Sequence, residues 1–169
     1  MQAFTLTLLT LAAAVAASPL ATRQSSDDQS VLDAHNYYRR QHGAGDLTWD
    51  SNLAYAAYQN AAGCNFAHTQ NNPYGENLFA GGGDWSYQQA VDSWMSEQSS
   101  YNGYSFGNGE AGHYTQVIWK NTQRLGCVRF QGCSEDSIFH DGSNNFATYV
   151  VCEYDPPGNY DGQYQQNVQ

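Results

Sequence analysis

The sequence predicts an α+β domain, because three stretches with helical periodicity are followed later in the chain by two stretches with the composition of strands. The helical stretches are residues 30–43, 50–62 and 85–98, where apolar side chains recur three and four positions apart. Residues 126–130 and 147–152 are rich in β-branched and aromatic side chains, as strands are. About 140 residues follow the N-terminal region, enough for one domain that buries about two-thirds of the surface of its unfolded chain.

The N-terminal region has the pattern of a secretory signal peptide over residues 1–17. Its apolar stretch ends in small residues that suit signal peptidase, and it is too short to span a bilayer. Residues 18–30 contain too few apolar side chains to pack, so we expect a disordered arm or a short pro-segment there. The mature protein is therefore predicted to be secreted and extracellular, with no integral membrane association.

The charge of the chain limits its partners. The formal net charge is −10 at pH 7, and the six lysine and arginine residues are scattered. A chain of this kind has no sequence-independent attraction to phosphate backbones or to anionic membranes. Nucleic acid is therefore not an expected partner.

Four cysteines behind a signal peptide predict two disulfides. Their spacing alone leaves three connectivities open. No Cys-x-x-Cys pair occurs, so a zinc ribbon is not favoured. We therefore expect structural bridges among Cys64, Cys127, Cys133 and Cys152.

The first helical stretch has a start signal at Ser30, which can cap a helix, and a stop signal at Gly43, which can end one. Within it, one helical turn separates His35 from Arg39. A neighbouring cation disfavours metal binding, so we interpret His35 as a structural histidine.

The other two helical stretches differ in composition. Residues 50–62 are rich in alanine, which favours a helix and permits close packing. Residues 85–98 follow a flexible glycine connection at residues 81–83 and carry an apolar stripe that ends beside Glu97. A glutamate at the edge of such a stripe is ordinarily solvated.

Two further stretches combine aromatic and polar residues. Residues 99–111 cannot form a regular helix, and their aromatic side chains either complete the core or form an apolar contact patch. Those side chains are Tyr101, Tyr104 and Phe106. The segment GHYTQVIW at residues 112–119 is interpreted as extended, with bulk on both faces, and is therefore expected to be buried.

Two ordered motifs resemble the signatures of one family. The segment GHYTQVIW at residues 112–119 and the segment YVVCEYDPPGNY at residues 149–160 resemble signatures of the CAP superfamily, which comprises cysteine-rich secretory, antigen 5 and pathogenesis-related class 1 proteins. The tail over residues 158–168 is more similar to fungal secreted members than to plant ones. The resemblance implies that residues 31–165 form the family's domain, a three-layer α-β-α sandwich with a small antiparallel sheet.

The resemblance also implies a disulfide pairing. Plant members of the family carry three bridges, and the cysteines of this chain match two of those pairs. The implied bridges are Cys64 to Cys127 and Cys133 to Cys152.

A cleft lined by two histidines and two glutamates is the third implication of the resemblance. The matching residues of this chain are His68, Glu76, Glu97 and His113. Neutral imidazoles are good zinc ligands, and carboxylates can coordinate the ion, orient a ring N–H or bind a metal-bound water. The cleft is therefore predicted to hold zinc or another divalent metal, and Gly75 and Gly112 are predicted to form the turns that deliver the residues after them.

Three functions remain open under this resemblance. The favoured one is a non-enzymatic binder or exporter of sterols or other small lipids, which would use the aromatic residues of the 99–111 stretch. The alternative is a metal-assisted hydrolase with zinc on the two histidines and a glutamate as base, although no His-Glu-x-x-His motif occurs and no motif places a nucleophile. A secreted defence or virulence protein with an extracellular protein partner is also compatible with the sequence.

Overall fold

The structure is a computed structural model that describes residues 25–105 and 110–168. The predicted signal peptide, residues 18–24 of the predicted arm and Phe106 lie outside the described residues. The elements are α1 (Ser26–Gln41), β1 (Thr48–Trp49), α2 (Ser51–Ala61), β2 (Gly75–Gly82), α3 (Tyr87–Met95), a 3-10 helix (Ser96–Ser100), α4 (Gly112–Ile118), β3 (Arg124–Ser134), α5 (Glu135–Phe139), β4 (Phe146–Asp155) and α6 (Tyr164–Asn167). None of the helices in the described residues is both long enough and apolar enough to cross a membrane.

The strands form one sheet in the order β1-β3-β4-β2, and helices cover both of its faces. On β4, Val150 and Cys152 pack with α1, α3 and α4, whereas Tyr149 and Val151 pack with α2. The predicted three-layer sandwich is thus confirmed. The sheet is mixed rather than antiparallel, because the two-residue strand β1, too short to show a periodicity, pairs in parallel with β3.

Helix α1 begins earlier than the sequence analysis placed it. The Oγ atom of Ser25 accepts from the backbone N of Asp28 at 3.1 Å, and the Asp28 carboxylate accepts from the backbone N of Ser25 at 2.9 Å. This capping box, together with the favourable position of Asp27 in the first turn, starts the helix in a polar segment. Residues 26–30 are therefore helical, and the prediction that they belong to a disordered arm is wrong.

The segment at residues 112–119 is buried as predicted, but it forms helix α4 rather than an extended strand. Its seven residues include β-branched and aromatic types that favour strands, and Ala111 supplies no side-chain cap. Bonds from other elements hold it instead. At its C-terminal end, Arg39 donates to the carbonyl oxygens of Val117 and Trp119, each at 2.9 Å.

His35 is the structural histidine that the sequence predicted. It is fully buried, with Nδ1 2.8 Å from the carbonyl oxygen of Val31 and Nε2 2.8 Å from the hydroxyl of Tyr154. Burial lowers the pKa of His35 to about 4, with a smaller contribution from Arg39 and an opposing one from the bond to Val31. The ring is therefore neutral at physiological pH.

The predicted disulfide pairing is wrong. The bridges are Cys64–Cys133 and Cys127–Cys152. The register of the sheet explains the second bridge, because Cys127 of β3 and Cys152 of β4 lie directly opposite, with Cα atoms 4.1 Å apart. Cys64 follows α2, and its helix packs over β3 so that the cysteine meets Cys133 at the far end of that strand. In the loop-entropy model, sequence separations of 69 and 25 residues correspond to about 4 and about 3.5 kcal/mol.

The glycines at residues 81 and 82 are part of β2 and do not form a flexible connection. A side chain at Gly81 would collide with the indole of Trp85, and one at Gly82 would collide with Glu135. Close packing therefore explains these two glycines better than backbone freedom does.

Candidate functional site

The four predicted cleft residues lie on separate elements and associate as two pairs. His68 lies in the loop after α2 and Glu76 on β2, and the Nδ1 atom of His68 is 2.7 Å from Oε1 of Glu76. Glu97 lies in the 3-10 helix and His113 in α4, and the Nδ1 atom of His113 is 2.6 Å from Oε1 of Glu97. Each histidine therefore has its own carboxylate partner.

The pair of His68 and Glu76 combines an exposed ring with a buried carboxylate, since their side chains are 62% and 4% exposed. The carboxylate also accepts from the backbone N and the hydroxyl of Thr69, at 2.9 and 2.8 Å, and from Asn60 at 3.0 Å. Burial alone would raise the pKa of Glu76, but hydrogen bonds from His68 and Thr69 outweigh it and lower that pKa. The bond to Glu76 in turn raises the pKa of His68.

The pair of His113 and Glu97 is built around the start of α4. One oxygen of Glu97 binds the ring, and the other accepts from the backbone N atoms of His113 and Tyr114 at 3.0 and 3.2 Å. The carboxylate thus caps α4 from outside the helix. The imidazole also stacks on Trp94, with centroids 6.1 Å apart and planes inclined by 20°.

The edge strand β2 lies between the two pairs. Glu76 reaches Asn60 on α2, whereas its neighbour Asn77 reaches the carbonyl oxygen of His113, at 3.1 Å, on the opposite face. Within the described residues no three His, Cys, Asp or Glu side chains form a group that could hold a metal. The structure therefore groups the four residues as two hydrogen-bonded pairs and not as one four-ligand cluster.

Glu153 is a residue of this region that the sequence analysis missed. It lies directly opposite Glu76 in the sheet, is 1% exposed, and accepts a hydrogen bond from Asn72 at 2.8 Å. Burial raises the pKa of Glu153, and the adjacent Glu76 raises it further against the effect of Asn72, so the protonated form of this carboxyl group is favoured. The signal was present in the sequence, because Glu153 is a carboxylate that directly follows the apolar residues Val150, Val151 and Cys152 of this strand.

Two of the three aromatic residues predicted to bind lipid, Tyr101 and Tyr104, lie in different surroundings. Tyr101 faces the core, where its ring lies 5.8 Å from that of Tyr114 and 6.5 Å from that of Tyr164. Tyr104 is 71% exposed. Phe106 lies outside the described residues, so Tyr104 is the ring of this loop that the structure shows open to a ligand.

The prediction that Gly75 and Gly112 form special turns is wrong, because neither has a positive φ. A side chain at Gly75 would collide with the amide of Gln116, so this glycine provides space for packing. A side chain at Gly112 would meet no atom within 4 Å in the described part of the chain.

Known proteins similar to this chain include plant pathogenesis-related proteins. The model of the cysteine-rich secretory protein family, CAP, matches residues 32–154. Pathogenesis-related protein 1 of Arabidopsis thaliana is 41% identical over 162 residues, which cover 92% of this chain and 92% of the relative. Pathogenesis-related protein 1A of Nicotiana tabacum is 42% identical over 149 residues, with 83% and 82% covered. These relatives are plant proteins and do not support the fungal assignment made from the tail.

Solved structures share the fold. The crystal structure of NaASP2 with Zn²⁺ has a TM-score of 0.70 and 26% identity, and the similarity covers 88% of this chain and 90% of that one. The crystal structure of MpPR-1i has a TM-score of 0.65 and 23% identity, with 83% and 94% covered. At 23% identity, the similarity to MpPR-1i concerns the fold alone.

Proposed function

Because the chain belongs to the cysteine-rich secretory protein (CAP) family, we propose that it is a secreted, pathogenesis-related class 1-like protein that binds a divalent metal through His68 and His113. The observation that carries the proposal is that each histidine directs Nδ1 at a carboxylate. A carboxylate only accepts, so Nδ1 bears the proton and Nε2 keeps its lone pair for a metal. The apolar N-terminal stretch and the disulfides support secretion.

The donor atoms favour zinc or a similar ion. Imidazole nitrogen suits zinc, and in the described part of the chain neither Nε2 atom has a hydrogen-bond partner. Glu76 and Glu97 are engaged by ring and backbone N–H groups, so they orient the rings and are not ligands in this arrangement. NaASP2, which shares the fold, was crystallised with Zn²⁺.

A metal-assisted hydrolase is the competing function. It would need a carboxylate able to take a proton from a metal-activated water. Glu76 and Glu97 already accept from a ring N–H and from backbone N–H groups, which leaves them poorly suited to act as a base. The geometry therefore supports binding rather than catalysis.

Replacing His68 or His113 by alanine is expected to lower the zinc affinity about 100-fold, because each change removes one imidazole ligand. The wild-type protein is expected to bind about one zinc ion per chain near neutral pH and to release it in acid, since protonated imidazole cannot coordinate. Glu76→Gln and Glu97→Gln should cost less, about tenfold, through lost ring orientation. Isothermal titration calorimetry with zinc measures these affinities.

His140→Asn is the matched control for this titration. His140 lies at the exposed end of α5 with a left-handed backbone, which asparagine tolerates, and it belongs to neither pair. The zinc affinity of the His140→Asn variant should equal that of the wild-type protein. Unchanged zinc binding in both alanine variants would show that the two histidines do not form the metal site.

We further propose that the protein binds sterols or other small lipids without catalysis, and that Tyr104 contributes to the binding surface. An exposed ring beside Gly103 can close over an apolar molecule such as a sterol and bury a large area at low cost in side-chain entropy. We expect Tyr104→Ser to reduce sterol binding several-fold while leaving zinc affinity and thermal stability unchanged. Tyr55→Ser, a similarly exposed tyrosine on α2, is the control. If the wild-type protein takes up neither sterol nor fatty acid, the lipid function is refuted and an extracellular protein partner is the remaining alternative.

A further inference from the structure

The peptide group that joins Gly112 to His113 is held at both ends. The N–H of His113 donates to Oε2 of Glu97 at 3.0 Å. The carbonyl oxygen of Gly112 accepts from the Nδ2 atom of Asn159 at 2.9 Å. These two bonds fix the plane of the peptide, and with it the direction in which the His113 side chain leaves the backbone.

Asn159 is itself fixed in one orientation. Its backbone is left-handed, with a φ of 59°, a conformation that asparagine tolerates better than most residues. Its Oδ1 atom accepts from the hydroxyl of Thr115 at 2.6 Å, and its carbonyl oxygen accepts from the hydroxyl of Tyr164 at 3.0 Å. Because the carbonyl of Gly112 can only accept, the amide must present its NH₂ group to that oxygen.

Helix α4 does not supply this rigidity by itself. It has seven residues, and a helix of that length does not persist without support from other elements. Ala111 provides no side-chain cap, and Gly112 has no side chain that would restrict the peptide. The hydroxyl of Thr115 also lies 3.2 Å from the carbonyl oxygen of Gly112, but it is closer, at 2.6 Å, to Oδ1 of Asn159. Asn159 therefore supplies the shorter side-chain bond to this end of the peptide, and without it the peptide would be held less firmly there.

We propose that Asn159 is the positioning residue for His113, and that its hydrogen bond to Gly112 keeps Nδ1 of the ring on Glu97 and leaves Nε2 available to a ligand. Bonds at opposite ends of one peptide group also polarise it in the same sense, so the Asn159 contact strengthens the N–H donation to Glu97. The claim about ring orientation stands on these contacts alone. The claim about metal affinity rests on the proposed function.

The test uses two variants of Asn159 and measures the ring nitrogens directly. Asn159→Asp keeps the shape and replaces the donor by an acceptor, and Asn159→Gly removes the amide while tolerating the left-handed backbone. In metal-free protein at alkaline pH, where imidazole is neutral, ¹⁵N chemical shifts report which nitrogen carries the proton. We expect the Nδ1–H form of His113 in the wild type and a shift towards the Nε2–H form in both variants. His68, which belongs to the other pair, should not change.

Zinc titration supplies the second measurement. Both variants are expected to lose about tenfold in affinity, the usual cost of removing a group that orients a ligand. Asn71→Asp is the control, since Asn71 also has a left-handed backbone and lies on an exposed loop. If the wild-type protein does not bind zinc, the proposed function fails, and the ring spectra still decide the role of Asn159.

Unchanged His113 spectra in folded Asn159→Gly protein would overturn the inference, whatever the loss in Tm, because a merely structural residue would lower stability without altering the tautomer. Thr115→Val removes the hydroxyl that orients the Asn159 amide and preserves the side-chain shape. It should produce a smaller shift of the same sign. If the Asn159 variants do not fold, Thr115→Val takes their place in the test. A His113 spectrum of Thr115→Val identical to that of the wild type would then refute the proposal.

Discussion

Replacing Arg39 by methionine is expected to lower the free energy of unfolding by about 4 kcal/mol or more. The guanidinium is fully buried and donates to the carbonyl oxygens of Gly45, Val117, Trp119 and Thr122 at 2.8 to 2.9 Å. Each buried carbonyl left without a donor costs about 1–3 kcal/mol. Burial lowers the pKa of Arg39 to about 10, so the side chain remains charged at neutral pH. Urea unfolding measures the loss.

Arg40→Met is the control for this substitution. Arg40 is the next residue, its side chain is exposed, and it pairs with Asp46 at the surface. Exposed ion pairs contribute little to stability, so the unfolding midpoint should remain close to that of the wild type. Arg39→Lys retains the positive charge, but we expect it to lose most of the stability that Arg39 contributes. The reason is that an ammonium group cannot present the planar fork of N–H donors that a guanidinium has. Equal midpoints for Arg39→Met and Arg40→Met would show that the carbonyls find other donors.

Acidification is expected to remove about 3 kcal/mol of stability through His35 alone. Its folded-state pKa is about 4 against 6.5 for an unperturbed histidine, so the unfolded chain binds the proton more readily. The stability that the neutral ring provides is complete above pH 6.5, and it falls as the pH drops from 6.5 to about 4. The carbonyl of Val31 can only accept, so Nδ1 donates to it and Nε2 accepts from the hydroxyl of Tyr154. Protonation would place a charge beside Arg39 and would break the bond that Nε2 accepts.

The pH dependence of His35→Gln isolates this contribution. Glutamine does not titrate, so the variant should lose less stability between pH 6.5 and 4 than the wild type, even if it is less stable at pH 7. Glu153 acts in the opposite sense, because its raised pKa makes the folded protein gain stability as the pH falls. Its effect is common to both proteins and cancels in the difference. Parallel stability profiles would contradict the assignment to His35.

Local patterns predicted three of the helices and two of the strands. Apolar spacing located α1, α2 and α3, and the β-branched and aromatic stretches located β3 and β4. Helix α4 was predicted wrongly because residues such as Val117 and Ile118 prefer strands, and the groups that make it helical lie far away in the sequence. The arm before Ser30 was misjudged because a capping box can start a helix in a polar segment.

The disulfide pairing and the site depended on information that spacing does not contain. Cys127 meets Cys152 because of the register between β3 and β4, and register is a property of the folded sheet. The four cleft residues came from a family resemblance, which did not reveal their division into two hydrogen-bonded pairs. Glu153 was open to prediction, because a buried carboxylate needs a partner, but Glu76 could be identified as that partner only from the pairing of β2 with β4.

The external support of α4 has a consequence for the order of folding. The bonds that shape this helix join it to Glu97, Asn159 and Arg39, across sequence separations from 16 to 80 residues. Closing such long loops costs entropy that only the nearly complete fold repays. We therefore expect the surroundings of His113 to form together with the long-range contacts of the core, to which Tyr114, Val117 and Ile118 of α4 belong. A fragment that keeps residues 112–119 but lacks Arg39 or Asn159 should not form α4.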